Sequence, residues 1–169
     1  CIQATDPSYM MLGYYNMPEA TAKEFRGGWF HTGDRGYLDS DGYLFFVDRK
    51  KEAIRRRGEN ISAYEVELIL SRHPAIQEVA AVPISSEMTE DEVMVYVVRK
   101  PDAMIDHAQV VHFANDNMAY FMVPRFVEFI DALPKTPSEK IEKYKLKQEA
   151  ESRRESLWDR EKAGITIRR

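Results

Sequence analysis

The chain has 169 residues, a formal net charge of −4, and 44% hydrophobic and 31% charged side chains, the mixture of a globular domain with a core and not that of a disordered segment. No apolar run reaches membrane-span length and no basic-then-apolar leader opens the chain, so neither a membrane span nor a secretory route is expected, and the expected location is cytoplasmic. A single cysteine excludes an internal disulfide, and His31, His73, His107 and His112 lack metal-ligand spacing, so no metal site is expected.

A start on Cys1 in place of Met carries the expectation that an upstream portion has been removed. Residues 1–19, punctuated by Pro7, Gly13 and Pro18, are expected to be irregular. Pro18 and Glu19 open a short helix over 20–26, with Gly27 and Gly28 as its stop. Two apolar, aromatic runs, 35–39 and 42–47, flank the turn formers Ser40, Asp41 and Gly42 and predict a β-hairpin. Ser62 followed by Glu65 has the form of a capping box, and Val66, Ile69, Leu70 and His73 recur at helical spacing. A helix is therefore predicted from Ala63 to about Arg72, stopped by Pro74.

Strands over 78–84 and 93–99 follow, separated by an acidic loop at 85–92. A helix fits 106–117, a strand 125–130, a loop with two prolines 133–140, and a polar helix 141–162. Strands alternating with helices from about residue 50 predict a small α+β domain preceded by a β-rich piece. The expected division is 1–47, a connector at 48–51, and 52–169. From Lys135 onward, eleven Lys/Arg stand against seven Asp/Glu. Acidic residues are interspersed through that basic tail, so a solvated helix is expected in place of a nucleic-acid surface.

Three segments carry residues suited to chemistry. In Thr32-Gly33-Asp34, a carboxylate on a tight glycine turn beside a strand can accept both hydroxyls of a ribose, because an ionised Asp offers two acceptor oxygens. The same three residues also describe an ordinary Asx-type turn. Between Arg49 and Arg57, six of nine residues are basic, closed by Gly58 and followed by the capped helix, which puts positive charge where a phosphate could be met. Such a run is ordinarily a solvated face. Lys140 ends a proline-stiffened, hydroxyl-rich loop just before a helix, where a loop can deliver an ammonium into a cleft. Standing alone, it would read as a surface lysine at a helix start.

In this order and spacing, and with the segment from Gly13 to Thr21 upstream of them, the three segments resemble the last part of the adenylate-forming enzymes: acyl- and aryl-CoA ligases, peptide-synthetase adenylation domains and luciferases. The resemblance covers nearly the whole chain. It implies a reaction in which a carboxylic acid attacks the α-phosphate of ATP to give an acyl-adenylate and pyrophosphate, after which the CoA thiol displaces AMP. It implies ATP with Mg2+, and CoA, as co-substrates, and a small C-terminal domain that swings about a hinge against a larger N-terminal domain missing from this sequence. By resemblance, Asp34 is the ribose-binding aspartate, Arg49 the nucleotide-contacting arginine, Lys51 the hinge residue, Gly58 the glycine of the loop that approaches CoA, and Lys140 the catalytic lysine of adenylate formation.

This chain departs from the family pattern at Glu139, where glycine usually precedes the lysine, at Ala63, where proline is common, and at Lys143, where arginine is common. The run from Gly58 to Glu65, the Glu139-Lys140 variant and the segment from Leu157 to Gly164 look most similar to crotonobetaine/carnitine-CoA ligase-type members. Two other readings are a peptide-synthetase adenylation domain acting on a carrier protein and a stand-alone interaction module without catalysis. Trp29, Phe30, Leu44 and Phe46 are expected to leave an apolar surface, and with it self-association or poor order of residues 1–30.

Overall fold

A computed structural model describes residues 1–86 and 90–167. The chain divides into two compact units, Cys1–Lys51 and Glu52–Arg169. Of the loop expected at 85–92, residues 87–89 lie outside the described residues.

In the first unit a single 3-10 turn, Pro7–Tyr9, is capped by Asp6, whose side chain accepts from the Ser8 N–H. Helix α1, Pro18–Glu24, opens with proline at its first position, where a missing N–H costs nothing. It ends two residues earlier than the sequence suggests. Phe25–Arg26 (β1) and Trp29–Phe30 (β2) pair instead as a hairpin, and Gly27 and Gly28, at φ +60° and +80°, form its two-residue turn in place of a helix stop. Strands β3, Asp34–Leu38, and β4, Leu44–Arg49, form the expected longer hairpin, in register from Asp34↔Arg49 to Leu38↔Leu44 with a bulge at Arg35/Gly36. A Cβ on Gly36 would lie 2.6 Å from the Phe45 carbonyl oxygen, so only glycine fits there. The Asp39 carboxylate holds the turn by accepting from the N–H groups of Asp41 and Tyr43. Tyr37, Leu38, Leu44, Phe45 and Phe46 are all exposed.

The second unit begins with a short hairpin, β5 (Ile54–Arg56) and β6 (Glu59–Ile61), which composition conceals as a basic run. Helix α2, Ala63–Leu70, is capped by Ser62, whose hydroxyl accepts from the Glu65 N–H. The main sheet comprises β7 (Ile76–Ser85), β8 (Asp91–Arg99) and β9 (Phe126–Phe129), with β7 antiparallel and β9 parallel to β8. Helix α3, His107–Asn117, links β8 to β9 and carries a full capping box from Asp106 and Gln109. Helix α4 follows at Lys143–Ser152.

Both faces of this sheet are covered, which is why β7 and β8 read as continuous apolar runs. Val79, Ala81, Val93, Val95, Val97 and Val127 pack with α2, α3 and the β5–β6 hairpin. Ala80, Val82, Ile84, Met94, Tyr96 and Phe126 pack with Leu133, Leu146 and Ala150. Each fully buried valine contributes about 1.5 kcal/mol or more.

The edges are also closed. On β7 the outward N–H of Ala81 donates to the Glu67 carboxylate and that of Ser85 to Glu151, while Pro83 between them has no N–H to expose. On β9 the edge meets the segment after α4, where Phe126 bridges Asp159 and the Arg160 N–H donates to the Arg125 carbonyl at 2.9 Å. That segment overturns the single long helix expected over 141–162. The α-helix ends at Ser152, a 3-10 turn spans Arg154–Ser156, and Leu157, Asp159 and Arg160 are buried. Pairing the bare backbone of β9 outweighs further helix in a polar stretch. No helix of the described residues is long and apolar enough to cross a membrane.

Candidate functional site

Asp34 opens β3 directly after Thr32-Gly33. Gly33 sits at φ +75° and accepts from the Lys50 N–H through its carbonyl, while the Thr32 hydroxyl accepts from the Asp34 N–H. This turn aims the carboxylate across the hairpin at its register partner Arg49, with 3.3 Å between Arg49 Nε and Asp34 Oδ1. The contact is an ion pair at Oδ1, which is itself buried and makes no directed hydrogen bond. Both side chains are at least one-third exposed, at 36% and 60%. Lys51, in the turn after β4, is exposed and is the last residue of the first unit.

Gly58 lies in the second unit, at the tip of the β5–β6 hairpin. Arg57 and Gly58, at φ +52° and +82°, make the two-residue turn between Arg56 and Glu59. The Gly58 N–H donates to both oxygens of Glu90, at 3.2 and 3.3 Å. Lys140 is exposed at the base of a loop closed by the Lys135↔Ile141 bridge and by the Thr136 N–H on the Lys140 carbonyl. Glu139 adopts φ +61°, a left-handed position that glycine would occupy without strain. Its carboxylate turns to Lys135 Nζ at 3.5 Å, and Lys135 also pairs with Glu78 at 2.8 Å.

These contacts set the two loops apart. Lys135 is held at Glu78, near the start of β7. The hairpin bearing Gly58 is held at Asp91, through the Arg55 N–H, and Asp91 is the register partner of Ser85 at the other end of β7. Seven residue steps of strand separate those register positions, or about 23 Å. Asp34 and Arg49 thus form one pair, whereas Gly58 and Lys140 occupy different ends of one sheet.

A buried charge network stands behind Gly58 that the sequence did not single out. Arg56, 1% exposed, lies 2.6 Å from Glu92 through Nε and donates through Nη1 to the carbonyls of Phe121 and Val123. Arg125 makes a two-pronged pair with Asp159 and lies 3.8 Å from Glu92. Burial pulls the Arg56 pKa down even with Glu92 beside it, whereas the hydrogen bond to Asp159 holds that of Arg125 up. The signal available in the sequence was alternation: Ile54, Arg56 and Ile61 point inward, and Arg55 and Asn60 outward.

Lys143, one of the departures from the family pattern, joins α4 to α2 by bridging Glu67 at 2.8 Å and Glu52 at 2.9 Å. Burial pulls its pKa down, but the two carboxylates outweigh burial and raise it. Burial raises that of Glu67, against the attraction of Lys143. Among the described residues no group of three or more His, Cys, Asp or Glu is arranged to hold a metal ion.

Residues 65–140 match the sequence model of the AMP-binding enzyme C-terminal domain. The chain is 41% identical over 148 residues to a crotonobetaine/carnitine-CoA ligase of Salmonella heidelberg, an alignment covering 87% of this chain and 29% of that protein. Its fold is similar to that of ATP-bound MatB from Rhodopseudomonas palustris, with a TM-score of 0.75 and 34% identity over 83% of this chain and 28% of the other. It is also similar to a Mycobacterium tuberculosis fatty acyl CoA synthetase, with a TM-score of 0.63 and 33% identity over 83% and 28%. The chain thus spans less than a third of the length of each of these relatives.

Proposed function

For a chain that belongs to the adenylate-forming, AMP-binding enzymes and carries their C-terminal domain, we propose that it is the C-terminal part of an ATP-dependent acyl-CoA ligase. Residues 1–47 are read as the end of the nucleotide-binding domain, 48–51 as the hinge about Lys51, and 52–169 as the mobile domain. In the first step a carboxylate oxygen of the acid attacks the α-phosphorus of ATP and the bond to pyrophosphate breaks. In the second the sulfur of CoA attacks the acyl carbon and AMP leaves. Asp34 accepts the ribose hydroxyls, Arg49 contacts the nucleotide, and Lys140 supplies a positive charge to the phosphate oxygens as charge shifts among them. Mg2+ arrives with ATP, and no step is assigned to it.

The observation that carries this reading is the separation of Gly58 from Lys140 at different ends of one sheet. A domain built this way can offer the lysine loop in one orientation and the glycine hairpin in another, one for each half-reaction. The exposed aromatic surface of the β3–β4 hairpin supports a partner domain upstream that covers it. Identity with crotonobetaine/carnitine-CoA ligases favours a substrate acid of that subgroup, and use of ATP and CoA favours a cytoplasmic enzyme.

The test is pyrophosphate release and thioester formation measured separately in the full-length enzyme. Lys140→Ala is expected to slow adenylate formation by roughly a hundredfold to a thousandfold while sparing thioester formation from supplied acyl-adenylate. Equal losses in both half-reactions would remove the assigned role from Lys140, and turnover by the 169-residue chain alone would overturn its reading as a part.

A further inference from the structure

The loop that carries Lys140 is a small hairpin. Lys135 bridges Ile141, the Glu142 N–H donates to the Pro134 carbonyl at 2.8 Å, and the Thr136 N–H donates to that of Lys140 at 2.9 Å. Its turn is closed by the Glu139 N–H on the Thr136 carbonyl at 2.9 Å, and Glu139 itself is left-handed. A turn followed by one left-handed residue is a common three-residue hairpin connection, with glycine the usual occupant of the last place. The Thr136 hydroxyl adds a contact by accepting from the Lys140 N–H at 3.2 Å. The backbone of Glu139 thus sets the direction in which Lys140 leaves the turn.

Leu133 and Ile141 hold the base of this hairpin against the core, whereas residues 137–140 are exposed. One side chain crosses from the hairpin back to the sheet: Lys135 Nζ donates to Glu78 Oε1 on β7 at 2.8 Å, 57 residues away in sequence. The same ammonium lies 3.5 Å from Glu139 Oε2. Lys135 is therefore shared between a strand and the residue before Lys140, and its hydrogen bond to Glu78 holds its pKa above the usual lysine value. The pair also accounts for a carboxylate where glycine would fit without strain, because Glu139 gains a partner in exchange for backbone freedom. Its worth to folding is small. The Lys135 and Glu78 side chains are 29% and 32% exposed and that of Glu139 81%, and ion pairs so open to water add little stability. Such a contact still restricts where a loop points.

We infer that Lys135 is a positioning residue for adenylate formation: held by Glu78 and Glu139, it fastens the hairpin to β7 and so fixes where the Lys140 ammonium is presented. The inference rests on the ligase reading of Lys140. Misplacing a reacting group by about 1 Å, through a change outside the chemistry itself, costs up to about a hundredfold in rate. The hairpin bearing Gly58 is held at the other end of β7, so the half-reaction assigned to it does not depend on this fastening.

The test compares Lys135→Gln with Lys140→Ala in the full-length enzyme, with the two half-reactions measured separately. Lys135→Gln is expected to lower kcat for adenylate formation about tenfold to a hundredfold with KM for ATP nearly unchanged. Thioester formation from supplied acyl-adenylate and thermal melting should stay as they were. Glu78→Gln should reproduce the loss, and the double variant should be no worse than either single. Lys135→Arg, which keeps the charge and the donors, should recover most of it. In the 169-residue chain, NMR relaxation of the Ser138, Glu139 and Lys140 amides should show greater motion in Lys135→Gln. Unimpaired adenylate formation, equal losses in both half-reactions, or unchanged relaxation of the loop would overturn the positioning role. A selective loss in Lys140→Ala without one in Lys135→Gln removes the positioning role alone, whereas an unselective Lys140→Ala removes the ligase assignment of Lys140 and the positioning role with it.

Discussion

Replacing Arg56 with methionine keeps most of the side-chain volume and removes only its charge and donors, which isolates the buried network behind the Gly58 hairpin. Glu92, with a side chain 9% exposed, would lose its 2.6 Å partner and keep only Arg125 at 3.8 Å, and the Phe121 and Val123 carbonyls would each lose a donor. Removing one member of a buried ion pair costs about 3–5 kcal/mol, because the remaining charge is left uncompensated. Small domains have only about 5–15 kcal/mol in total, so Arg56→Met should leave the second unit marginal. The assay is urea unfolding followed by Trp158 emission in a Trp29→Phe background, so that only the second unit reports. Glu92→Leu alone should cost a comparable amount by stranding Arg56. The double variant should recover to within about 1–2 kcal/mol of the parent, since a well-packed apolar pair can replace a buried ion pair. A cost below about 1 kcal/mol for Arg56→Met, or a double variant as damaged as the sum of the singles, would refute the claim that this pair is coupled and buried.

Gly58→Ala should destabilise by about 1–2 kcal/mol through backbone conformation alone, because a Cβ there meets no atom within 4 Å while φ is +82°; calorimetric melting measures it. Asp159 should contribute to the acid limb of stability. Burial raises its pKa, but the Arg125 hydrogen bond and the Glu161 N–H outweigh burial and hold it below the ordinary 3.8. Its contribution is therefore complete above pH 3.8 and lost as pH falls through the lower folded value. Asp159→Asn should flatten that limb in pH-dependent urea titrations. Glu67 acts with the opposite sign: its folded pKa is raised above 4.5, so stability should increase as pH falls through the raised value toward 4.5, and Glu67→Gln should abolish that increase. Glu151→Ala should free the Ser85 N–H on the outer edge of β7 and increase concentration-dependent association in light scattering.

The elements written into local pattern were legible without coordinates. Turn formers at Ser40, Asp41 and Gly42 announced the β3–β4 hairpin, the Ser62 cap announced α2, and uninterrupted apolar runs announced β7 and β8. Asp34 and Arg49 were each nominated by resemblance, and the hairpin register sets them opposite one another. Tertiary structure decided what depends on distant partners. Gly27 and Gly28 serve a hairpin because Phe25 finds Phe30, 4.9 Å away between ring centres, and a helix-stop pattern contains no information about that partner. The polar stretch after Ser152 leaves helix because β9 offers it unpaired backbone. Arg56 looked like one more cation in a solvated run, yet it is among the most buried side chains of the chain, because its counter-charge Glu92 and its carbonyl acceptors arrive from segments 36 to 67 residues away. Local sequence specifies turns, caps and periodicity through backbone sterics and short-range hydrogen bonds. Whether a charge faces water or a buried partner depends on long-range packing, which local sequence does not encode.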